Sequence, residues 1–222
     1  MTALTQPTAR GALIVVEGLD RAGKSSQCEI LQKSLSQQGN AVKYIRFPDR
    51  TTPIGKLIDS YLRGSTYQDD HSIHLLFSAN RWEIAKSIED EIANGTTVIV
   101  DRYSYSGVVY SAAKANPTLS LEWAWQPEIG LPRPDICLFL NITPEEAARR
   151  GGFGAERYEN EPMQTRVREL FRSIFERQTD VSIIDAGKSI DEVAVEIKNA
   201  VFDCISRMDA TSALRKLEPL AN

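Results

Sequence analysis

Residues 18–25 read GLDRAGKS, and no other string constrains what this chain can fold into so tightly. The spacing is G-x-x-x-x-G-K-[ST]. An apolar run, ALIVVE over 12–17, precedes it, and a helix-like run over 24–38 follows. Strand, glycine turn and helix in that order build a phosphate cradle. Gly18 and Gly23 let backbone N–H groups curl around phosphate oxygens with no Cβ in the way. The helix start adds partial positive charge and holds the amides of Lys24, Ser25 and Ser26. The Lys24 ammonium reaches terminal phosphates, and the Ser25 hydroxyl suits Mg²⁺. The motif implies nucleoside triphosphate binding without fixing the reaction. Inside the loop, Arg21 adds a second cation, and Asp20 can accept from a substrate hydroxyl. Both are otherwise ordinary solvated loop charges.

The rest of the chain alternates strand-like and helix-like runs. Strands are expected over 42–47, 96–100, 135–140 and 181–185. Helices are expected over 52–63, 71–93, 143–150, 161–179 and 189–207, with another after Asp101. Thr143, Pro144 and Glu146 have the spacing of a capped helix start. Strands this apolar, alternating with helices, predict an α/β fold with a parallel sheet covered on both faces. Two segments resist the pattern. Residues 116–133 carry Pro117, Pro127, Pro132, Trp123 and Trp125 and read as a loop or broken helix. Residues 151–161, GGFGAERYENE, are glycine-rich, charged and expected to be mobile.

With 222 residues the chain suits one domain and can bury a core without disulfides or structural metal. A net charge of -4 gives no global attraction to nucleic acid or an anionic membrane. Cys28, Cys137 and Cys204 lie far apart, which argues against a disulfide framework or zinc site. His71 and His74 share a helix-like stretch and have no evident ligand partner. No stretch reaches the length of a membrane span, and the first ten residues lack the apolar run of a signal peptide. The expected setting is the cytosol, with the nucleus left open. Residues 1–10 read as a flexible lead, 11–207 as the domain and 208–222 as a tail outside the core.

Other residues collect at the predicted sheet edge. Asp101-Arg102-Tyr103 ends a strand at the crevice where ligands of parallel sheets bind. Asp101 there can hold Mg²⁺, and Arg102 can grip phosphate. Phe47-Pro-Asp-Arg50 ends another strand with an aromatic and a cation. Phe77 and Arg81 stand four apart on one helix face, suited to stacking on a base and donating to a base carbonyl. A core phenylalanine and a surface arginine fit that pair as well. The guanine-reading string of small GTPases is absent.

Taken together, GLDRAGKSS, RFPDR, HLLFSANRWE, VDRYSYSGVVYSAAK, QPEIGLPRPD and RGGFGAERYE resemble the eukaryotic-type thymidylate kinases, in order and with fitting spacing. The resemblance runs from about Gly11 to the last helix; extra residues near 116–119 depart from it. It implies a P-loop fold of five parallel strands flanked by helices, a homodimer, and transfer of phosphate from ATP-Mg²⁺ to dTMP in dTTP synthesis. It also implies roles. Lys24 and the loop amides would hold ATP, with Arg21 supplying transition-state charge. Arg50 and Arg102 would bind the monophosphate, and Asp20 the sugar 3′-hydroxyl. Phe77 would stack on thymine, and Arg81 would bond its O4. Tyr110 would crowd C2′, with Phe47, Ser106 and Gly107 in the same site. Residues 151–161 would form a lid, with Arg150 against adenine and Tyr158 near the sugar. Ala186 and Lys188 would line the other side of adenine. Arg21 suggests that the assisting arginine lies in the loop; Arg150 and Arg157 keep a lid arginine open. The rivals are a deoxynucleoside kinase and a nucleotide-binding protein without catalysis.

Overall fold

Valine and isoleucine fill the segments that become the central strands. The computed structural model describes residues 9–150, 156–176 and 178–220. Its strands are β1 (Leu13–Gly18), β2 (Val42–Arg46), β3 (Thr97–Asp101), β4 (Ile136–Asn141) and β5 (Val181–Asp185). They form one sheet in the order β2-β3-β1-β4-β5, with every pair parallel. This is the expected fold class. β1 and β3 are buried throughout, whereas edge strands β2 and β5 are partly open. β1 lies at the centre, paired with β3 on one side and β4 on the other. Register places Arg46 beside Asp101, and Gly18 beside Leu140, so these strand ends share one edge of the sheet. That edge is where a parallel sheet presents its ligand crevice.

The helices are α1 (Lys24–Gln37), α2 (Pro53–Leu62), α3 (Asp70–Ala93), α4 (Ser104–Ala112), α5 (Leu121–Trp125), α6 (Pro144–Arg149), α7 (Glu161–Phe175) and α8 (Ile190–Arg207). Local chemistry explains several starts. Thr143 and Ser189 form capping boxes with Glu146 and Glu192. Thr52 and Asp69 cap α2 and α3 through their side chains. Phe139 on β4 packs on Phe171 and Phe175 of α7, with ring centroids 5.0 and 5.2 Å apart. The proline-rich segment becomes α5 and a single 3₁₀ turn, Gln126–Glu128, in place of a long helix. None of the helices among the described residues is long and apolar enough to cross a membrane.

At both expected domain limits the described residues make contacts with the core. Arg10, assigned to the flexible lead, forms a two-pronged ion pair with Asp135 at 2.8 Å and also bonds the carbonyls of Ala210 and Ser212. Residues 1–8 lie outside the described residues. The segment after α8 is no free tail. Leu217 is only 3% exposed, and its backbone bonds Gly130 and Leu131. Trp125 Nε1 donates to the Glu218 carbonyl at 2.7 Å. Leu214 and Leu220 pack beside the core as well. These leucines lie in a segment that is neither helix nor strand, so neither the helix nor the strand period betrayed their burial.

Candidate active site

The loop after β1 takes its shape from backbone geometry that few residues tolerate. Gly18 has φ +145° and lies directly under the Leu140 carbonyl; a Cβ there would come 2.7 Å from that oxygen. Glycine is therefore required for β1 to turn beside β4. Arg21 also adopts positive φ, at +63°. The turn delivers Gly23 to the start of α1, where no side chain caps the helix. The open amides of the first turn thus face the cleft with their partial positive charge. Gly23, Lys24, Ser25 and Ser26 all line a cleft of about 510 Å³.

Lys24 Nζ donates to the Leu19 carbonyl at 2.5 Å. Burial, followed by the nearby Arg102 charge, pushes its pKa down to about 8. Ser25 Oγ donates to Asp101 Oδ2 at 2.5 Å, and Tyr44 OH donates to the same oxygen at 3.1 Å. Asp101 Oδ1 is buried with no hydrogen-bond partner among the described residues. A hydroxyl beside a carboxylate with a spare oxygen is a donor set that fits Mg²⁺, which takes few protein ligands beside phosphates and water. The expected metal pair, Ser25 and Asp101, is therefore in contact.

Just after β3, Arg102 also has positive φ, at +66°. Its Nη2 lies 2.5 Å from Asp20 Oδ1, while Nη1 donates to the Gly18 carbonyl and Ser106 Oγ at 3.2 Å. Burial works against the Arg102 charge, but Tyr110, Asp20, Asp101 and Glu17 outweigh it and raise the pKa. Asp20 is the counterpart. Burial alone would raise its pKa, yet Arg102 and Lys24 pull it below the ordinary value. Its Oδ2 accepts from Tyr110 OH at 2.9 Å and Gln164 Nε2 at 2.8 Å. Gln164 Oε1 in turn accepts from the Asp20 amide. Sequence reasoning missed Gln164, one polar residue on the buried side of amphipathic α7.

Arg50 lines the same cleft and pairs with Asp59 at 2.6 Å and Glu156 at 2.8 Å. Arg21 pairs with Glu159 at 3.2 Å. Phe77, Arg81, Ser106, Gly107, Tyr110, Tyr158 and Phe47 complete the walls. Tyr158 lies between the rings of Tyr61 and Tyr110, at 6.1 and 5.7 Å. Arg81 is almost wholly buried, and not the surface arginine of the bland reading. Glu128, from the 3₁₀ turn, accepts from its Nε at 2.7 Å and its Nη2 at 2.6 Å. Glu128 gave no sequence signal beyond its place in a proline-rich loop.

The expected lid lies partly outside the described residues, which resume at Glu156. Of its two arginine candidates, Arg150 reaches the loop, donating to the Arg21 and Ala186 carbonyls. Arg157 turns away: it lies 4.2 Å over the Tyr61 ring and bonds the Tyr61 and Thr66 carbonyls. Ala186 therefore stands near the site, but Lys188 does not join it. Its ammonium pairs with Glu196 in the second turn of α8.

Glu17 is the remaining surprise. It is a carboxylate buried in the middle of the sheet, and burial raises its pKa. Oε1 accepts from the Tyr103 and Ser106 amides at 2.9 Å, and Oε2 from Ser106 Oγ. It thereby fixes the start of α4 next to Arg102. One charge in an otherwise apolar strand was the available signal.

Comparison with known proteins agrees with this geometry. The thymidylate kinase family model matches residues 16–197. The thymidylate kinase of Danio rerio is 46% identical over 199 residues, covering 89% of this chain and 92% of that protein. The thymidylate kinase of Homo sapiens is 47% identical over 197 residues, covering 88% and 92%. The solved thymidylate kinase of Candida albicans superposes with a TM-score of 0.82 at 39% identity, covering 94% of this chain and 99% of that one. A phosphate loop at the centre of a five-stranded parallel sheet, matched over nearly its full length by such relatives, places this chain in the thymidylate kinase family.

Proposed function

We propose that the cleft transfers the γ-phosphate of ATP to dTMP, giving dTDP and ADP. The observation that carries this reading is the meeting of two cationic groups in one cleft. Lys24, Arg21 and the open amides of α1 come from the phosphate loop and its helix, Arg50 and Arg102 from the segments after β2 and β3, and all line one cleft. A nucleoside acceptor would need no such second cluster, whereas a monophosphate does.

A phosphate monoester is already an anionic nucleophile, so the protein's task is to position and to neutralise charge. Lys24 and the loop amides hold the β- and γ-phosphates. Arg21 serves the charge that spreads over the transferring group, and Arg102, held by Asp20, orients the acceptor phosphate. Arg50 exchanges its carboxylate partners Asp59 and Glu156 for that phosphate. Ser25 and Asp101 would hold Mg²⁺, which would supply neutralising charge to the ATP phosphates. Phe77 stacks on thymine, Arg81 donates to O4, and Tyr110 crowds C2′. Arg150 and Ala186 border the adenine side. Glu156, Tyr158 and Glu159 of the described lid residues line the cleft, and the Arg157 amide bonds the end of α2; a lid closed there would keep water from the transferring phosphate.

The resemblance to thymidylate kinases also supports a homodimer in the cytosol. Leu57 of α2 and Leu75 and Trp82 of α3 remain 51%, 47% and 43% exposed. Leu75 and Trp82 stand seven residues apart on one helix face, a surface suited to a second copy. The deciding experiment is an ADP-release assay with ATP and Mg²⁺ across nucleoside monophosphates, with thymidine alongside. Turnover with dTMP and none with thymidine is expected; the reverse would make the protein a nucleoside kinase.

A further inference from the structure

Arg81 stands among cations that serve phosphates, yet it is tied differently. Arg50 and Arg21 are about one third exposed and pair with Asp59 of α2 and with the lid carboxylates Glu156 and Glu159. Arg81 and Glu128 are 3% and 0% exposed and meet edge to edge through two hydrogen bonds. The turn that carries Glu128 is itself anchored to α3. Trp82 Nε1 and Ser78 Oγ both donate to the Pro127 carbonyl, at 2.7 and 3.1 Å. The other face of the guanidinium lies against Gly107 on α4, so closely that any Cβ there would collide with it. Among the described residues, no protein acceptor takes a hydrogen bond from Arg81 Nη1, and Arg81 lines the cleft.

We propose that Glu128 is the positioning residue that turns Arg81 into a reader of a neutral carbonyl. Two effects follow from one contact. The two-edge grip fixes the plane of the guanidinium, so Nη1 meets the base in one orientation only. The buried carboxylate also cancels the charge, so this end of the cleft does not compete with Arg50 and Arg102 for phosphate. A guanidinium without that partner would attract an anion; with it, the pair is a fixed dipole that favours the thymine O4 acceptor over the cytosine amino donor. This inference rests on the reading of Arg81 as the base contact.

The test compares kcat/KM for dTMP and dCMP at saturating ATP, together with inhibition by inorganic phosphate competing with dTMP. In folded Glu128→Gln, the dTMP-to-dCMP ratio should fall at least tenfold, and phosphate should inhibit at least threefold more tightly. Glu128→Asp keeps the charge and should hold phosphate inhibition at the wild-type level. A Glu128→Gln ratio within twofold of wild type overturns the proposal. So does a fallen ratio with wild-type phosphate inhibition, because Glu128 would then be merely structural. If Glu128→Gln does not fold, Arg81→Lys carries the test. It preserves the ion pair but not the planar two-edge grip, so the ratio should fall at least fivefold; a wild-type ratio overturns the proposal. Arg81→Ala separates the two layers. If it leaves the ratio unchanged, the base contact itself is wrong. If it collapses the ratio while Glu128→Gln does not, only the role of Glu128 fails.

Discussion

Asp20 and Arg102 belong to different strand ends, yet they meet at 2.5 Å across the mouth of the phosphate loop. On the proposed function, the pair joins the donor half of the cleft to the acceptor half. Replacing Asp20 by Asn removes the charge that steadies Arg102 while leaving the side-chain shape. Hydrogen bonds to charged groups are worth about 1.5–3 kcal/mol, so kcat/KM for dTMP should fall roughly tenfold to a hundredfold. Steady-state kinetics at saturating ATP measure this. An unchanged value would mean that Asp20 only braces the loop.

Glu17 supports the same region from beneath. Glu17→Ala would strand the Tyr103 and Ser106 amides, which are buried and now share Oε1. Each unsatisfied group costs about 1–3 kcal/mol. Urea unfolding should show a loss of at least about 2 kcal/mol. Glu17→Gln retains the oxygen that takes both amides and should lose less than half as much. Equal losses in the two variants would assign the effect to packing rather than to those hydrogen bonds.

Lys24 makes nucleotide binding depend on pH. Its ordinary pKa of 10.5 falls to about 8 in the folded protein without ligand. The folded chain therefore binds fewer protons than the unfolded chain between these values, and stability rises with pH across that window. Below pH 8 the cost of the buried charge is fully present. ATP phosphates reverse the shift, so ATP binding near pH 9 should take up a proton, approaching one per site. Calorimetry in buffers of different ionisation enthalpy reads that uptake. Lys24→Met should abolish it and lower turnover about 10²–10³-fold. Uptake that persists in Lys24→Met would place the proton elsewhere.

Leu217 tests the docked C-terminal segment. Truncating a buried leucine to alanine costs about 2–5 kcal/mol. Leu217→Ala should lower the thermal midpoint without changing KM for either substrate, since the residue does not line the cleft and its backbone bonds Leu131 and Gly130. Removal of residues 208–222 should destabilise further. A truncated protein as stable as the full chain would show the segment to be dispensable.

What the sequence made legible was local. Gly18 to Ser25 are contiguous, so spacing alone assembled the loop, and strong apolar runs placed every strand within a residue or two. Asp101 and Arg102 were legible because a strand end has only one crevice to face. Contacts across long separations were not. Glu128 lies 47 residues from Arg81, in a segment whose prolines erase any period. Gln164 meets Asp20 over 144 residues. Lys188 was placed on the adenine side by the family resemblance, whereas its ion pair with Glu196 of α8 had no signal in the sequence. Leu217 lay hidden because burial in an irregular segment follows no repeat.

The tie between Arg10 and residues 210 and 212 has a consequence for how the molecule comes into being. β1 is made before both of its neighbours and occupies the middle of the sheet, so it must wait for β3 and then β4 before both its sides are paired. Even then, Arg10 lacks its last partners until residue 212 has been synthesised. The final clasp joins early chain to late chain. Topology of this kind is slow to close, and a nascent chain halted before residue 210 would carry a sheet that has its order but not its lock.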